Sequence, residues 1–482
     1  MMTTKTNDKR NEFQLVSMED LVPQEHLLRK IDKAIDWSFI YDLVQDKYSE
    51  DTGRPSIDPV ELIKTAFIQY LYGIKSMRQT IKEIEVNIAY RWFLGIDLYE
   101  AVPHFSTFGK NYTRRFKDTD LFEEIFERIL EECYRYNFVS PEEVFIDATH
   151  VKARANNKKA MRKKAEKEAQ FYEKQLQKEI NEDRLAHGKK AFEDLTDENN
   201  EDDDTNSADN TDKRDRHEKH LSKQEEQKEE RRIKCSTTDP ESGWFHKGEH
   251  KDVFAYGIQT ACDKNGWILS YTVNPGNEHD SRSFKGLYDK LTGKVKNIKT
   301  IIFDAAYKTP QIAKLLIDDG IIPVVPYKRP MTKDGFFRKY EFKYDAQQDC
   351  YFCPANHILK YSTTNKYGYR EYKSNKHICA ECPFLHKCTE SKNHVKVLNR
   401  HIWESYMEQC EEIRLRKEMI VLYSQRKETV ERQFGNAKEN HGFRFTQMYG
   451  IAKMALKTAL TYSSMNLKKL AFLLYKRNLI TV

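Results

Sequence analysis

The chain has 482 residues, of which 32% are charged and 39% hydrophobic, and 81 Lys and Arg against 75 Asp and Glu give a net charge of +6. This length excludes a single small module and predicts about two to four structural units. No apolar run reaches the ~18 residues that a membrane span needs, and the N-terminus lacks the apolar stretch of a signal peptide, so we expect a cytoplasmic protein without membrane contact.

The positive charge is concentrated at the C-terminal end. Residues 391–482 carry 17 Lys and Arg against 8 Asp and Glu, whereas the rest of the chain has a small negative balance. A basic segment of this kind favours a polyanionic partner such as nucleic acid. A solvated helical face would have the same composition.

The N-terminal region, from about Leu21 to Asn137, has the apolar spacing of helices. Asp58 followed by Pro59 predicts the start of one helix, and Ser76 predicts the start of the next. Several short helices with surface arginines suit a helix-turn-helix-like DNA reader, although any small helical bundle has the same pattern. The arginines concerned are Arg78, Arg91, Arg114 and Arg115.

A strand at Glu143 to Ile146 is followed by a long charged segment. Residues 157–234 contain few large apolar side chains, with an acidic block at 198–204 and a mixed-charge stretch at 213–232. We interpret this segment as two helical arms around a disordered linker, a solvated insertion without a specific partner.

Regular structure resumes with a predicted hairpin. Two strand-like runs, 253–262 and 267–273, flank a turn that contains Asn265 and Gly266. A helix at 281–291, a buried strand at 300–303, a helix at 310–319 and a strand at 321–325 follow. This order predicts a mixed sheet flanked by helices.

Two aspartates, Asp147 and Asp304, each directly follow a buried strand. Ligands collect at the carboxyl ends of strands in α/β sheets, so the two carboxylates are expected to face each other if their strands are neighbours. A divalent cation relieves the repulsion between such groups. Either aspartate alone would be an ordinary turn residue.

A third acid is expected from the C-terminal helices. Glu431 lies at the edge of the apolar stripe formed by Val430 and Phe434, whereas the competing Glu428 lies off that stripe. An ion pair with Lys427 is the simpler interpretation of Glu431.

The cysteines are nine in number, and five of them fall between Cys350 and Cys388. In a cytoplasmic protein such a cluster indicates thiols or metal ligands rather than disulfides. Two CxxC pairs predict a structural zinc site in a zinc ribbon. The expected ligands are Cys350, Cys353, Cys379 and Cys382, with Cys388 as an alternate, and His357 or His377 as competitors.

Taken together, these motifs resemble the DDE transposases of bacterial insertion sequences. The resemblance is carried by Asp147 and the residues to Asn156, Gly276 to Ser281, Asp304 to Lys308, and a Tyr-Arg-Glu-Lys signature of Tyr423, Arg426, Glu431 and Lys438. The signature has one residue more between Arg426 and Glu431 than the usual form. The cysteine cluster also recurs in this branch, between the second aspartate and the glutamate.

The resemblance implies an α/β fold with a ribonuclease-H-like mixed sheet core, an all-α N-terminal domain, a charged helical insertion and a zinc-ribbon insertion. The expected units are residues 1–137 for DNA binding, 138–156 with 235–327 for the first part of the core, 157–234 and 328–400 for the two insertions, and 401–482 for the C-terminal helices.

The resemblance also implies the chemistry, which is cleavage of transposon ends and strand transfer. Two Mg²⁺ or Mn²⁺ ions would be held by Asp147, Asp304 and Glu431. Supporting roles would fall to Lys438, Arg426, Tyr423, His279 and His150, although such histidines are more often structural.

The expected partner is double-stranded DNA, as transposon ends and target, and the expected assembly is a homodimer or a higher oligomer associated with the nucleoid. The rival interpretation is a catalytically silent, zinc-containing DNA-binding protein or regulator derived from a transposase. A further rival is a metal-dependent nuclease that cuts without joining.

Overall fold

The computed structural model describes residues 13, 15–49, 56–157, 159–164, 173–192, 232–247, 251–329 and 332–481. The acidic block at 198–204, and all but the last residue of the mixed-charge stretch at 213–232, lie outside the described residues. The second helical arm predicted for the insertion lies there too.

Short helices form the N-terminal region. Asp58 accepts a hydrogen bond from the main chain of Glu61 with Pro59 in the first turn, and Ser76 caps the next helix in the same way through Gln79, as predicted. The helices are α1 (Met18–Leu21), α2 (Leu27–Ala34), α3 (Phe39–Val44), α4 (Pro59–Leu71), α5 (Met77–Val86), α6 (Ile88–Leu94), α7 (Ser106–Asn111) and α8 (Leu121–Arg135).

One of the predicted surface arginines is buried. Arg91 is 4% exposed, and its guanidinium donates hydrogen bonds to the main-chain oxygens of Asp97 and Glu100. It therefore fixes the loop after α6 and is unsuited to contact DNA. The prediction was wrong because a lone arginine among apolar residues gives no sign of the carbonyl groups that it satisfies.

The central sheet contains both predicted aspartates. Its strands are β1 (Glu143–Lys152), β2 (Ala160–Lys164), β3 (Arg232–Ser236), β4 (Gly243–Lys247), β5 (Lys251–Asp263), β6 (Ile268–Pro275), β7 (Thr300–Phe303) and β8 (Ile322–Val324). Helix α9 (Glu173–Ala186) lies between β2 and β3, α10 (Asp280–Lys294) between β6 and β7, and α11 (Pro310–Asp318) between β7 and β8.

The strand order is β6, β5, β1, β7, β8. The first three strands are antiparallel neighbours, and β7 and β8 run parallel to β1. The N-terminal part of β5, residues 251–255, pairs with β4, and β3 and β2 follow β4 in the sheet. This topology confirms the predicted α/β class, with a ribonuclease-H-like mixed sheet and a helical N-terminal region.

After β8 the chain forms a smaller antiparallel sheet of order β13, β12, β11, β10, β9 and ends in helices. The strands are β9 (Lys343–Asp345), β10 (Cys350–Phe352), β11 (Ile358–Thr364), β12 (Tyr369–Lys373) and β13 (Val397–His401). The helices are α12 (Lys376–Ala380), α13 (Leu385–Cys388), α14 (Glu404–Leu415), α15 (Lys417–Ser424), α16 (Val430–Asn440) and α17 (Ile451–Lys476).

Helix α17 joins the N-terminal helices to the central sheet. It packs on α2, α4 and α8 and also on β6. The side-chain amide of Asn466 accepts from the main-chain nitrogen of Ile268 at 3.1 Å and donates to its oxygen at 2.9 Å. The hydroxyl groups of Tyr462 and Thr260 are 2.8 Å apart in the same buried interface. Satisfied polar groups of this kind fix the position of the helix on the sheet.

The first arm of the charged insertion is docked on the smaller sheet, contrary to the solvated insertion that we predicted. Leu176 and Ile180 of α9 pack on Trp403. Asp183, which is 9% exposed, accepts hydrogen bonds from Thr364 Oγ1 at 2.6 Å and Arg370 Nε at 2.8 Å. The few apolar side chains of α9 are thus supplemented by a buried polar network, which hydrophobic periodicity does not register.

Candidate active site

The register of β1 and β7 brings the two aspartates together. Ile146 pairs with Phe303 in this parallel ladder, so Asp147 and Asp304 are the next residues on adjacent strands. Each carboxylate accepts a hydrogen bond from the following main-chain nitrogen, at 2.8 Å for Asp147 and 2.6 Å for Asp304. The two side chains therefore lie next to each other where β7 ends, with Asp147 inside β1, which continues to Lys152.

Glu431 reaches the same region from the C-terminal helices. It lies in the first turn of α16, whose buried residues Val430, Phe434 and Ala437 pack inward and leave Glu431 exposed. The chain is not one continuous helix before this point, because a 3₁₀ turn at Gln425–Lys427 and a break at Thr429 separate α15 from α16. This break accommodates the additional residue between Arg426 and Glu431.

Arg426 lies between the carboxylates. It is 7% exposed, and its Nη2 donates to Asp147 Oδ2 at 2.7 Å. Its Nη1 is 3.7 Å from Asp304 Oδ1 and donates to the Tyr423 hydroxyl at 3.2 Å. Tyr423 and Arg426, the two signature residues that precede the break at Thr429, therefore lie beside the carboxylates.

The electrostatics of Asp147 reflect this crowding. Burial raises its pKa to about 6, Arg426 and the main-chain nitrogen of Ala148 act in the lowering direction, and the charges of Asp304 and Glu431 act in the raising direction. The charges of Asp304 and Glu431, from two other chain segments, thus act on Asp147, with the Arg426 guanidinium as its counter-charge. Such a set is suited to divalent cations, which prefer oxygen ligands.

The two predicted histidines have local structural contacts. His279 caps α10, with its Nδ1 accepting from the Ser281 main-chain nitrogen at 3.3 Å. His150 is an odd number of residues from Asp147 on β1, so it projects from the opposite face of the strand. Its ring stacks on Phe245 at 3.5 Å. Lys438 lies in the last turn of α16, two turns beyond Glu431.

Two further residues near the carboxylates were not assigned a role from the sequence. Tyr307, in the turn after Asp304, is fully buried, and the charges of Asp280, Asp147, Asp304 and Arg426 act on its hydroxyl. Asp280 is the first residue of α10. Both fall within segments that carried the resemblance, but a strand-turn pattern alone does not indicate that the beginning of α10 meets the end of β7.

The cysteine cluster assembles with a different membership from the predicted one. Cys353, Cys379, Cys382 and Cys388 line one cavity of about 30 Å³. Burial raises the pKa of the Cys388 thiol, Lys396 opposes this, and the three other thiols act in the raising direction. The main-chain nitrogen of His357 donates to Cys353 Sγ at 3.3 Å, a contact that a thiolate would strengthen.

Cys350 lies apart from this group. It is buried within β10, where burial and the charges of Asp345 and Asp349 raise its pKa. Cys350 lies within β10, whereas Cys353 follows the end of that strand and lines the cavity. Tyr351, between them, packs in the core of the small sheet. The alternate, Cys388, is the thiol that joins the other three.

Within the described parts of the chain, no three His, Cys, Asp or Glu side chains are grouped so that they could hold a metal ion. The carboxylates therefore lie near one another, and so do the thiols, but neither group is arranged as a complete set of metal ligands. None of the helices in these same parts of the chain has the length and the apolar composition of a membrane span.

Comparisons with known proteins agree with this geometry. A family model described as a transposase domain matches residues 16–114, which include most of the N-terminal helices. A second, described as a transposase DDE domain, matches residues 352–471, which include Arg426 and Glu431. Two separate regions of the chain thus match transposase family models, and the second of these models is a DDE domain.

No curated protein matches the chain. Among solved structures, a piggyBac transposase in a synaptic complex with hairpin DNA aligns with 95% of this chain and 76% of its own, at 8% identity and a TM-score of 0.33.

Proposed function

We propose that this chain is the active transposase of an insertion sequence, which binds the terminal inverted repeats and catalyses metal-dependent DNA cleavage and strand transfer. The observation that carries the proposal is that Arg426 contacts both Asp147 and Asp304, while the charge of Glu431 also acts on Asp147.

In this proposal Asp147, Asp304 and Glu431 would hold two Mg²⁺ or Mn²⁺ ions, and the chemistry that such ions would supply is activation of a water or 3′-hydroxyl and stabilisation of a leaving oxygen. Because Asp304 and Glu431 are more exposed than Asp147, they face the incoming phosphodiester, whereas Asp147 anchors the site from within the sheet. Arg426 offsets the negative charge and holds the Asp147 carboxylate in one orientation. Lys438 provides positive charge on the helix that bears Glu431.

The cysteine cavity is proposed as a structural zinc site. The donors are Cys353, Cys379, Cys382 and Cys388, which would give the tetrahedral four-thiolate set that zinc prefers. A closed site of this kind leaves no position for substrate, so the metal stabilises the small sheet rather than taking part in the reaction.

DNA is the proposed partner, with the N-terminal helices reading the terminal repeats and the basic C-terminal segment contacting phosphates. Cleavage of paired ends requires two active sites, so we propose a dimer or higher oligomer on DNA.

The test is a joining assay. Wild-type protein and Asp304→Asn are incubated with Mg²⁺, DNA ends from the element and a target plasmid. The proposal requires cleavage and joining by the wild type and neither by the variant. Binding of the ends by both proteins without cleavage would favour the silent regulator, and cleavage without joining would favour a nuclease.

A further inference from the structure

Tyr327 is an exposed aromatic residue that lies beside the end of strand β7. In the parallel ladder of β7 and β8, Ile302 pairs with Val324. Two residues beyond this pair come Asp304 on one segment and Pro326 on the other, and Tyr327 is the next residue. Neighbouring strands are about 4.8 Å apart. Tyr327 therefore lies close to the proposed catalytic carboxylates, although it is 57% exposed.

Side-chain contacts hold the surroundings of this ring in place. Lys308, which follows β7, donates a hydrogen bond to the main-chain oxygen of Pro326 at 3.4 Å and forms an ion pair with Glu411. Arg414, in the last turn of α14, donates from Nε to Glu411 Oε2 at 2.8 Å. The central carbon of its guanidinium is 5.2 Å from the centre of the Tyr327 ring. A continuous set of contacts thus connects the turn after β7 to an exposed ring with a cation against it.

The charges next to the ring favour an anionic partner. Lys328 and Arg329 directly follow Tyr327, and all three residues are exposed. The carboxylate of Glu411 is already paired with both Lys308 and Arg414. An exposed aromatic ring bordered by cations is the combination that binds unpaired nucleotides, because the ring stacks on a base and the cations contact phosphates.

We propose that Tyr327, with Arg414 against its ring, is a stacking site for one unpaired nucleobase of the DNA end, near the phosphate that is cut. Lys328 and Arg329 contact the adjoining phosphates. This inference deepens the proposed function and rests on it. A base can stack on the ring only after it has left the duplex, so the site stabilises DNA that is unpaired beside the cleaved bond. Because every base has an aromatic face, the site requires no particular base.

The first experiment measures binding of the full chain to element ends whose strands are left unpaired around the cleaved bond. Fluorescence anisotropy without divalent metal follows binding while the DNA stays uncut. We expect Tyr327→Ala to weaken binding about 5- to 100-fold, as for other stacked bases, and Tyr327→Phe to bind like the wild type. The control is Tyr340→Ala, which removes another exposed tyrosine, 69% exposed, and should change nothing. Thermal melts followed by circular dichroism establish that each variant is folded.

A series of DNA ends that each lack one base near the cleaved bond tests whether the ring contacts a base. Removing the stacked base should weaken binding by the wild type, and Tyr327→Ala should add no further loss on that DNA. On ends that lack a different base, Tyr327→Ala should keep its full effect. An equal effect of Tyr327→Ala on every DNA of the series would assign the residue to a general surface contact and overturn the stacking site.

The outcomes separate this inference from the function on which it rests. If the wild type binds and cleaves the ends and Tyr327→Ala does both equally well, the stacking site is wrong and the proposed function stands. If the wild type neither binds nor cleaves the ends, the proposed function fails and the stacking site fails with it. A variant with unchanged DNA binding but a smaller mass in sedimentation would place Tyr327 between two copies of the chain, which also overturns the inference.

Discussion

Arg426 Nη2 donates a hydrogen bond to Asp147 Oδ2 at 2.7 Å across 279 residues of sequence. The pair joins the last helices to the first strand of the sheet, and both side chains are largely buried. Removing one partner of a buried pair leaves an uncompensated charge, which costs about 3–5 kcal/mol. The two residues thus couple stability to the geometry of the site.

Replacing Arg426 by Gln is expected to lower both stability and activity. The free energy of unfolding should fall by about 3 kcal/mol, because Asp147 loses its counter-charge. Cleavage of element ends should fall by about 100-fold or more, as for other preorganised electrostatic groups. Chemical denaturation and single-turnover cleavage measure the two effects.

The matched control for that variant is Arg432→Gln, which removes an exposed arginine from α16. It should retain the stability and most of the activity of the wild type. Arg426→Lys should recover only part of the loss, because an ammonium cannot reach two carboxylates in the geometry of a guanidinium. Full cleavage by Arg426→Gln would contradict the role of this residue.

The pH dependence of the metal-free protein should carry the signature of Asp147. Its pKa is raised to about 6 in the folded chain, chiefly by burial, against about 3.9 when unfolded. The folded state therefore holds this proton more tightly, and the associated stability is present below about pH 4 and lost as the pH rises to about 6. Divalent cations compete with the same proton, so their affinity should increase over that range.

The Asp147→Asn variant isolates this contribution. The difference in free energy of unfolding between wild type and variant, measured without metal from pH 4 to 7, should change by about 1–3 kcal/mol in the predicted direction and level off above pH 6. Glu61, whose pKa is raised to about 7 by burial and then by the charges of Glu100 and Asp58, titrates in both proteins and cancels in the difference. A flat difference would show that Asp147 has an ordinary pKa.

Much of the core could be predicted because a buried strand is recognisable in the sequence as a continuous run of apolar residues. The run before Asp304 is buried at every position from Thr300 to Phe303, and the strand bounds predicted from the sequence match the structure. A strand-terminal acid is visible in such a pattern. That Asp147 and Asp304 are neighbours depends on the pairing of β1 with β7, which residue types alone do not specify.

The parts that could not be predicted depend on polar groups satisfied over long distances. Arg91 was expected on the surface, yet it is buried and donates hydrogen bonds to main-chain oxygens of a nearby loop. Arg426 is buried and donates a hydrogen bond to Asp147, which is far away in sequence. Cys388, at the end of α13, lines the thiol cavity beside Ile358 and Leu359 of β11, whereas spacing favoured the CxxC partner Cys350. Hydrophobic periodicity in a sequence indicates apolar faces, but it does not indicate such pairings of polar groups.

The two candidate cysteines give opposite predictions for zinc. We expect Cys388→Ser to lose most of its bound zinc and Cys350→Ser to retain about one ion per chain, because only the first thiol lines the cavity with Cys353, Cys379 and Cys382. Zinc content of the purified proteins, measured by atomic emission, checks this. Retention by Cys388→Ser with loss by Cys350→Ser would restore the ligand set expected from the spacing.

The docked arm of the charged insertion offers a test of fold rather than chemistry. Asp183 on α9 is 9% exposed and receives hydrogen bonds from Thr364 and Arg370 of the small sheet. Asp183→Ala leaves the half-buried guanidinium of Arg370 with less compensation, and we expect a loss of about 3–5 kcal/mol in the free energy that holds α9 on the sheet. Hydrogen exchange of residues 173–186 should accelerate accordingly.

The neighbouring Glu182 is the control for this variant. Its side chain is 63% exposed and lies 3.8 Å from Lys178 in an ordinary surface ion pair, which contributes about 0–1 kcal/mol. Glu182→Ala should therefore leave the rate of hydrogen exchange in α9 nearly unchanged. Asp183→Ala, at the adjacent position, should raise that rate. Equal exchange in both variants would show that α9 is held by Leu176 and Ile180 on Trp403 alone, and that the polar network adds no stability.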